Sequence, residues 1–340
     1  MRLLGRGNAA ILIAVLGLCG FGLSANKPEK FRIVNQFPIE GGGRWDYLTV
    51  DGQSRRVYMS RTTHVAVIDA DSGKLIGDIA DTPGVHGIAL APDIGMGFIS
   101  AGAEDKVSVF DLKSLKVLRK VPTRGKPDSI LYHAATHWVF AQNGNGKSST
   151  VIDARTGAVI ATIPLGGKPE FAADDDDGRV FVNIEDKNVI DVVDAASKSV
   201  THTWPLDGCE SPSGLAIDRK GHSLFVACAN AKLAVVNSIT GKVTQLLPIG
   251  DDCDAAAFDP VTGYAFASNG DGSLTVVKKA SSGRYEVLET VATSPGSKTL
   301  GLDTINHRVY LPAAKFTGDP TKRPRPAVLE GTVSMLVVGQ

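Results

Sequence analysis

Residues 65–79 read VAVIDADSGKLIGDI, and the same pattern returns at 107–121 as VSVFDLKSLKVLRKV and at 149–163 as STVIDARTGAVIATI. It continues at 190–204 as IDVVDAASKSVTHTW and at 233–247 as LAVVNSITGKVTQLL. Each copy is an alternating strand, an acidic or Asn turn opener, a small polar turn and a second strand. The openers Asp69, Asp111, Asp153, Asp194 and Asn237 are spaced by 42, 42, 41 and 43 residues. A sixth copy, LTVVKKASSGRYEVLETV at 274–291, has Lys278 in place of the acid.

Working outward, two further strands precede each copy. The leading segments are WDYLTVD, VHGIALAPD, PDSILYH, PEFAADDD, PSGLAID, CDAAAFD and KTLGLD. Each is followed by a turn and then by RVYMS, GFISA, WVFAQ, RVFVN, SLFVA, YAFAS or RVYLP. The unit is thus a four-stranded meander of about 42 residues, and a unit of that size cannot bury both faces alone. Repeated seven times, it predicts an all-β fold, a seven-bladed β-propeller of four-stranded antiparallel blades. The last repeat stops at its third strand, TVSMLVV. The N-terminal strand FRIVNQF at 31–37 is expected to pair with it, so that the C-terminal blade closes the ring and leaves no sheet edge open.

Composition agrees with this reading. The 340 residues balance 36 Lys+Arg against 36 Asp+Glu, with 43% hydrophobic residues and 37 glycines. That excludes disorder and argues against a nucleic-acid binder driven by a basic surface. Arg2 and Arg6 precede an uncharged run at 9–23, and Leu23-Ser24-Ala25 offers small residues for cleavage. Residues 1–25 are therefore expected to be a secretory signal peptide, leaving 26–340 as one propeller domain. The run is short for a membrane span, which needs about 20 residues. Bulky Leu18 argues against a lipoprotein anchor at Cys19. Without its two leader arginines the chain carries two net negative charges, and a periplasmic or secreted monomer is expected. An oxidising compartment permits one disulfide among Cys209, Cys228 and Cys253. Cys209–Cys228, within one blade, is the favoured pairing, and Cys209–Cys253 is the alternative.

The repeat also sorts residues by face. The positions that lead into the first strand of each blade are Asp46, His86, Asp128, Glu170, Ser213, Asp254 and Thr299. Their near-constant spacing should gather them into one ring at the mouth of the axis. Loops between the second and third strands add Arg61, His64, Asn143, Asn183, Glu185, Asn230 and Asn269, and Trp45, Glu210 and Lys298 flank the ring. A ligand site at Trp45, Asp46, Arg61, His86, Asp128, Asn143, Glu170, Asp254 and Asn269 is expected. Asp128, Glu170 and Asp254 would be the metal ligands, as hard oxygen donors for Ca²⁺ or Mg²⁺ rather than a transition metal. The alternative is that these acids accept loop amides and hold the blades in place.

Asn145-Gly146-Lys147-Ser148 is a near miss of a phosphate-binding loop, but position 141 is Ala and the segment joins two strands. The acidic run 174–177 lacks the first and last ligands of a calcium loop and reads as an exposed hairpin turn. His133 and His137 are four apart but not on a helix, and read as solvated. Residues 315–326, KFTGDPTKRPRP, should project from the ligand face as a solvated loop, a lid or a docking arm.

The chain resembles the YVTN-type β-propeller repeat proteins, in particular the secreted, YncE-like members. The resemblance is carried by Arg179-Val180-Phe181-Val182-Asn183 with its following VIDVVDAAS, by Arg308-Val309-Tyr310 and by Asp153-Ala154-Arg155-Thr156-Gly157. It covers roughly residues 31–338. It implies the propeller fold and says little of function. From the polar ring, an exported binding or scaffold protein is expected, presenting a polar, acidic mouth to a small molecule, a cation or a periplasmic or cell-surface protein. No nucleophile–base pair or cofactor attachment motif argues for an enzyme. The alternatives are a divalent-metal-assisted hydrolase or lyase of the lactonase-propeller type and an accessory subunit of a quinoprotein-type redox system.

Overall fold

The computed structural model describes Met1, residues 30–41 and residues 43–340. The expected signal segment with Arg2, Arg6 and Cys19 lies outside the described residues. Residues 31–340 build seven four-stranded antiparallel sheets in strict sequence order, except at the seam. The blades span 48–79, 85–122, 127–164, 169–205, 212–248, 253–292 and 301–339. The seventh takes its outer strand from Arg32–Pro38, which runs antiparallel to Ser334–Gly339 with Arg32 opposite Gly339 and Pro38 opposite Ser334. Phe31 locks this strand to blade six. Its ring meets Tyr264 and Phe266 edge-on at 5.2 and 5.6 Å, and its N–H donates to Glu289.

The turn openers explain the repeat's polar signature. Asp69 Oδ1 accepts from the Ser72 N–H at 2.8 Å and from its hydroxyl at 2.6 Å. Asp111 with Ser114, Asp153 with Thr156 and Asn237 with Thr240 repeat the arrangement. A side-chain oxygen three residues before a donor is what closes this turn. Blade six lacks the acid at Lys278. There the third strand runs on to Lys279, and Ala280 and Arg284 close the turn through their backbone instead.

Packing follows from one aromatic near the centre of each second strand. Tyr58, Phe98, Phe140, Phe181, Phe225, Phe266 and Tyr310 are all essentially inaccessible. With the alternating Val, Ile, Leu and Ala of neighbouring strands they form seven apolar clusters, one at each seam between blades. Burying a side chain of this size contributes about 2 to 3 kcal/mol, so the ring rather than the isolated blade is the stable unit.

Near the mouth the seams turn polar. The Ser100 hydroxyl reaches the Asp128 carbonyl of the next blade, and Ser129 reaches that of Glu170 at 2.5 Å. Asn183 donates to the Ser213 carbonyl at 2.8 Å, Ser213 to that of Asp254 at 3.1 Å, and Ser268 to that of Lys298 at 2.7 Å. Successive blades are thus stitched at the residues that lead into their inner strands.

Two expectations are corrected here. His133 is not solvated. It is 1% exposed, its Nδ1 lies 2.8 Å from the Thr136 hydroxyl and its ring meets Phe140 edge-on. His137 points elsewhere, between the Tyr132 hydroxyl and Arg155. The acidic run 174–177 is also less exposed than expected, because arginines fold over it. Asp174 is buried and pairs with Arg219 of blade five at 3.1 Å, and Asp175 holds Arg179 at 2.6 Å. Among the described residues no helix is long and apolar enough to cross a membrane.

Candidate functional site: a charged cup at the mouth of the axis

The inner strands of blades two to six share one irregularity. Pairing with the second strand slips between Val85 and Ile88, Pro127 and Ile130, Pro169 and Ala172, Pro212 and Leu215, and Cys253 and Ala255. A bulge re-aims the side chains it contains. His86, Asp128, Glu170, Ser213 and Asp254 fall inside these bulges, and with Asp46 of blade one they line a common cavity of about 360 Å³. That is large enough for a small metabolite.

Tyr47 and Phe171 also line this cavity. They come from blades one and four and stack with ring centroids 4.6 Å apart. The pair spans the axis. Both occupy the position just after a ring residue, which other blades fill with Gly87, Ser129, Gly214, Ala255 and Leu300. Aromatics at two of seven equivalent positions were the available signal for this pair. Burial, then the Asp128, Glu170, Asp46 and Asp254 carboxylates around it, push the Tyr47 phenol well above its ordinary pKa, so it stays a neutral donor.

The acids fall into two groups. Lys168 sits 2.6 Å from Glu170 and also bonds Glu185. Lys298 sits 2.6 Å from Asp254 and 3.8 Å from Asp252. Burial works to raise the Asp254 carboxyl, but Lys298 and the Ser213 hydroxyl outweigh it and hold it below the ordinary carboxylate range. The second group has no lysine or arginine ion pair among the described residues. His86 Nδ1 lies 2.6 Å from Asp46 Oδ2 and 3.6 Å from Asp128 Oδ1. Burial works to lower the His86 imidazole, yet Asp46 and Asp128 raise it overall. Burial and the Asp46 carboxylate push Asp128 up to about 6, against the pull of His86. Glu170 is pushed up to about 8 by burial and by Asp128, against Lys168.

The cup is therefore mixed in charge. Lys168 precedes its ring position by two residues and Lys298 by one. Arg323 and Arg325 arrive from the irregular loop 315–326 of blade seven, which bends over the rim and lines the cavity. Arg44 donates to the Arg325 and Pro326 carbonyls at 2.9 Å, and Phe316 of the same loop packs against Trp45 with centroids 6.0 Å apart. Arg323 lies 3.6 Å from Asp252.

Of the residues expected at the site, Asp46, His86, Asp128, Glu170 and Asp254 meet in this cavity. Trp45 borders a smaller adjoining one with Phe316 and Arg325. Arg61, Asn143 and Asn269 are buried and face inward. Arg61 donates to the Gly41 carbonyl at 2.9 Å. Asn143 donates to Ser148 and Thr150, and Asn269 to Ser273 and Thr275, which brace the hairpins behind the mouth. Cys209 and Cys228 form the favoured disulfide. Cys253 is a buried free thiol raised in pKa by burial and by Asp254. The bridge is compatible with an extracytoplasmic location.

Fold and site together define a seven-bladed β-propeller with a charged cup at one end of its axis. Among solved structures the chain is similar to a chain of Kuenenia stuttgartiensis hydrazine synthase, with a TM-score of 0.71 at 16% identity, covering 80% of this chain and 93% of that one. Similarity at this level shows the fold alone. No family model and no curated protein matches the chain.

Proposed function

We propose that the protein is an exported, YVTN-like binding propeller whose cup takes a small polar molecule. A cationic group would face the Asp46–Asp128 wall, and a hydroxyl or anionic group would face Arg323 and Arg325 at the rim. The observation that carries this reading is the composition of the cavity. Lys168 engages Glu170 and Glu185 and Lys298 engages Asp254, while Asp46 and Asp128 have no lysine or arginine partner among the described residues, in a cavity that also holds the Tyr47–Phe171 stack. Such a site fixes a ligand by a few placed polar groups on an apolar base. Hydrazine synthase is an enzyme by name, but a shared propeller does not transfer an activity.

A thermal-shift screen of amino acids, polyamines, sugars and divalent cations tests it on the wild type, Asp128→Ala and Glu170→Ala. A ligand that raises the melting temperature of the wild type and not of Asp128→Ala is the expected result. Variants that melt lower, with a wild type that responds to nothing, would instead make the ring acids structural.

A further inference from the structure

We propose that Asp46, His86 and Asp128 hold a first-row divalent transition-metal ion, with its remaining coordination positions open to the cup. The proposal rests on the mouth being the ligand site and names the cation at its carboxylate wall.

Three observations support it. First, one ligand atom from each of the three residues lies within 4.8 Å of the other two, although the residues come from three consecutive blades. The imidazole Nδ1 stands 2.6 and 3.6 Å from its two carboxylate oxygens. Bonds of about 2.1 Å to zinc place neighbouring donors roughly 3 to 3.4 Å apart. Small side-chain rotations satisfy that spacing.

Second, the cup's other acids are engaged by ammonium groups, and these two carboxylates are not. Glu170 and Glu185 share Lys168, and Asp252 and Asp254 share Lys298. Asp46 and Asp128 face each other across His86.

Third, the imidazole packs closely against Gly102, where any side chain would crowd it. A Cβ on Gly102 would stand 3.0 Å from His86 Cδ2 and 3.2 Å from Nε2, and 3.1 Å from the Pro127 carbonyl. Gly102 does not have the positive φ that would itself demand glycine, so the residue serves space and not backbone shape.

The donor set decides the class of ion. Calcium takes six to eight oxygens, and this wall offers two carboxylates and a nitrogen. Imidazole with carboxylates suits zinc, manganese, iron or cobalt, and three protein ligands leave places for water or a ligand atom. This departs from the Ca²⁺ or Mg²⁺ site at Asp128, Glu170 and Asp254 expected from the sequence.

Isothermal titration of chelator-treated protein with Zn²⁺, Mn²⁺ and Ca²⁺ tests the proposal. One equivalent of Zn²⁺ should bind at least tenfold more tightly than Ca²⁺. His86→Gln and Asp128→Asn should each weaken Zn²⁺ at least tenfold, and His64→Ala and His137→Ala, which do not line the cup, should not. Gly102→Ala retains every donor and should weaken binding several-fold, which covers the case in which a ligand variant does not fold. The visible absorption of bound Co²⁺ should be altered in His86→Gln. Absence of saturable Zn²⁺ binding, preference for Ca²⁺, or Zn²⁺ binding unchanged in folded His86→Gln and Asp128→Asn would overturn it. An organic ligand that stabilises chelator-treated wild type and His86→Gln equally, with no Zn²⁺ bound, would leave the mouth as a binding site and remove the metal.

Discussion

Replacing Glu170 with Gln should make the protein more stable at pH 8 and leave it nearly unchanged at pH 5. The Glu170 side chain is 13% exposed, and burial with the nearby Asp128 carboxylate pushes its carboxyl from 4.5 to about 8. The folded chain therefore keeps a proton that the unfolded chain releases near pH 4.5. Its contribution is fully present below that pH and is lost as pH rises through about 8. A tenfold change in proton affinity is worth about 1.4 kcal/mol, so the whole interval caps the loss at about 5 kcal/mol. Lys168 at 2.6 Å favours the charged form and opposes burial, so about 2 kcal/mol of that cap is expected. Gln imitates the protonated acid and has nothing to lose. Raised pKa values at Asp128 and His86 act in the same direction, Asp128 mainly below pH 6, and both persist in the variant. Urea unfolding at pH 5, 6.5 and 8 supplies the curves. Wild type should lose about 2 kcal/mol more than Glu170→Gln between pH 5 and 8. Parallel curves would refute the retention of a proton by Glu170 in the folded chain.

Breaking the disulfide as Cys209→Ala/Cys228→Val should cost about 3 kcal/mol by urea unfolding, from the loop closed by a separation of 19 residues. An unchanged midpoint would mean that the bridge does not constrain the unfolded chain. Phe31→Ala should lower stability by about 3 kcal/mol, because it empties the contact that clamps the N-terminal strand to blade six. Limited proteolysis should then cut near residues 31–38 first, and cleavage elsewhere would place the weakest seam in another blade.

Much of this was legible before any coordinates. The 42-residue spacing of the turn openers predicts seven blades, and the fourth strand missing from the last repeat predicts closure by residues 31–37. Local chemistry wrote those signals, since an Asp or Asn closes the same turn in blades one to five. The ring positions followed by counting, which is why Asp46, His86, Asp128, Glu170 and Asp254 do meet. Counting failed where direction mattered. Arg61, Asn143 and Asn269 end second strands, yet they are buried, Arg61 on the Gly41 carbonyl and the two asparagines on hydroxyls of the next strand. His133 was read from its turn and is enclosed by its strand.

The sequence by itself determined the number of blades, the seam and the circle of residues around the axis, because these follow from a period and from side chains acting on near neighbours. Tertiary structure alone decided which acids are neutralised, which face one another and what floors the cup. Lys168 answers Glu185 from across a loop, Tyr47 finds Phe171 three blades away, and Arg323 folds back over the rim. Charge balance and desolvation at the mouth depend on distances through space between residues of different blades, up to 124 positions apart for Tyr47 and Phe171, and no repeat records them.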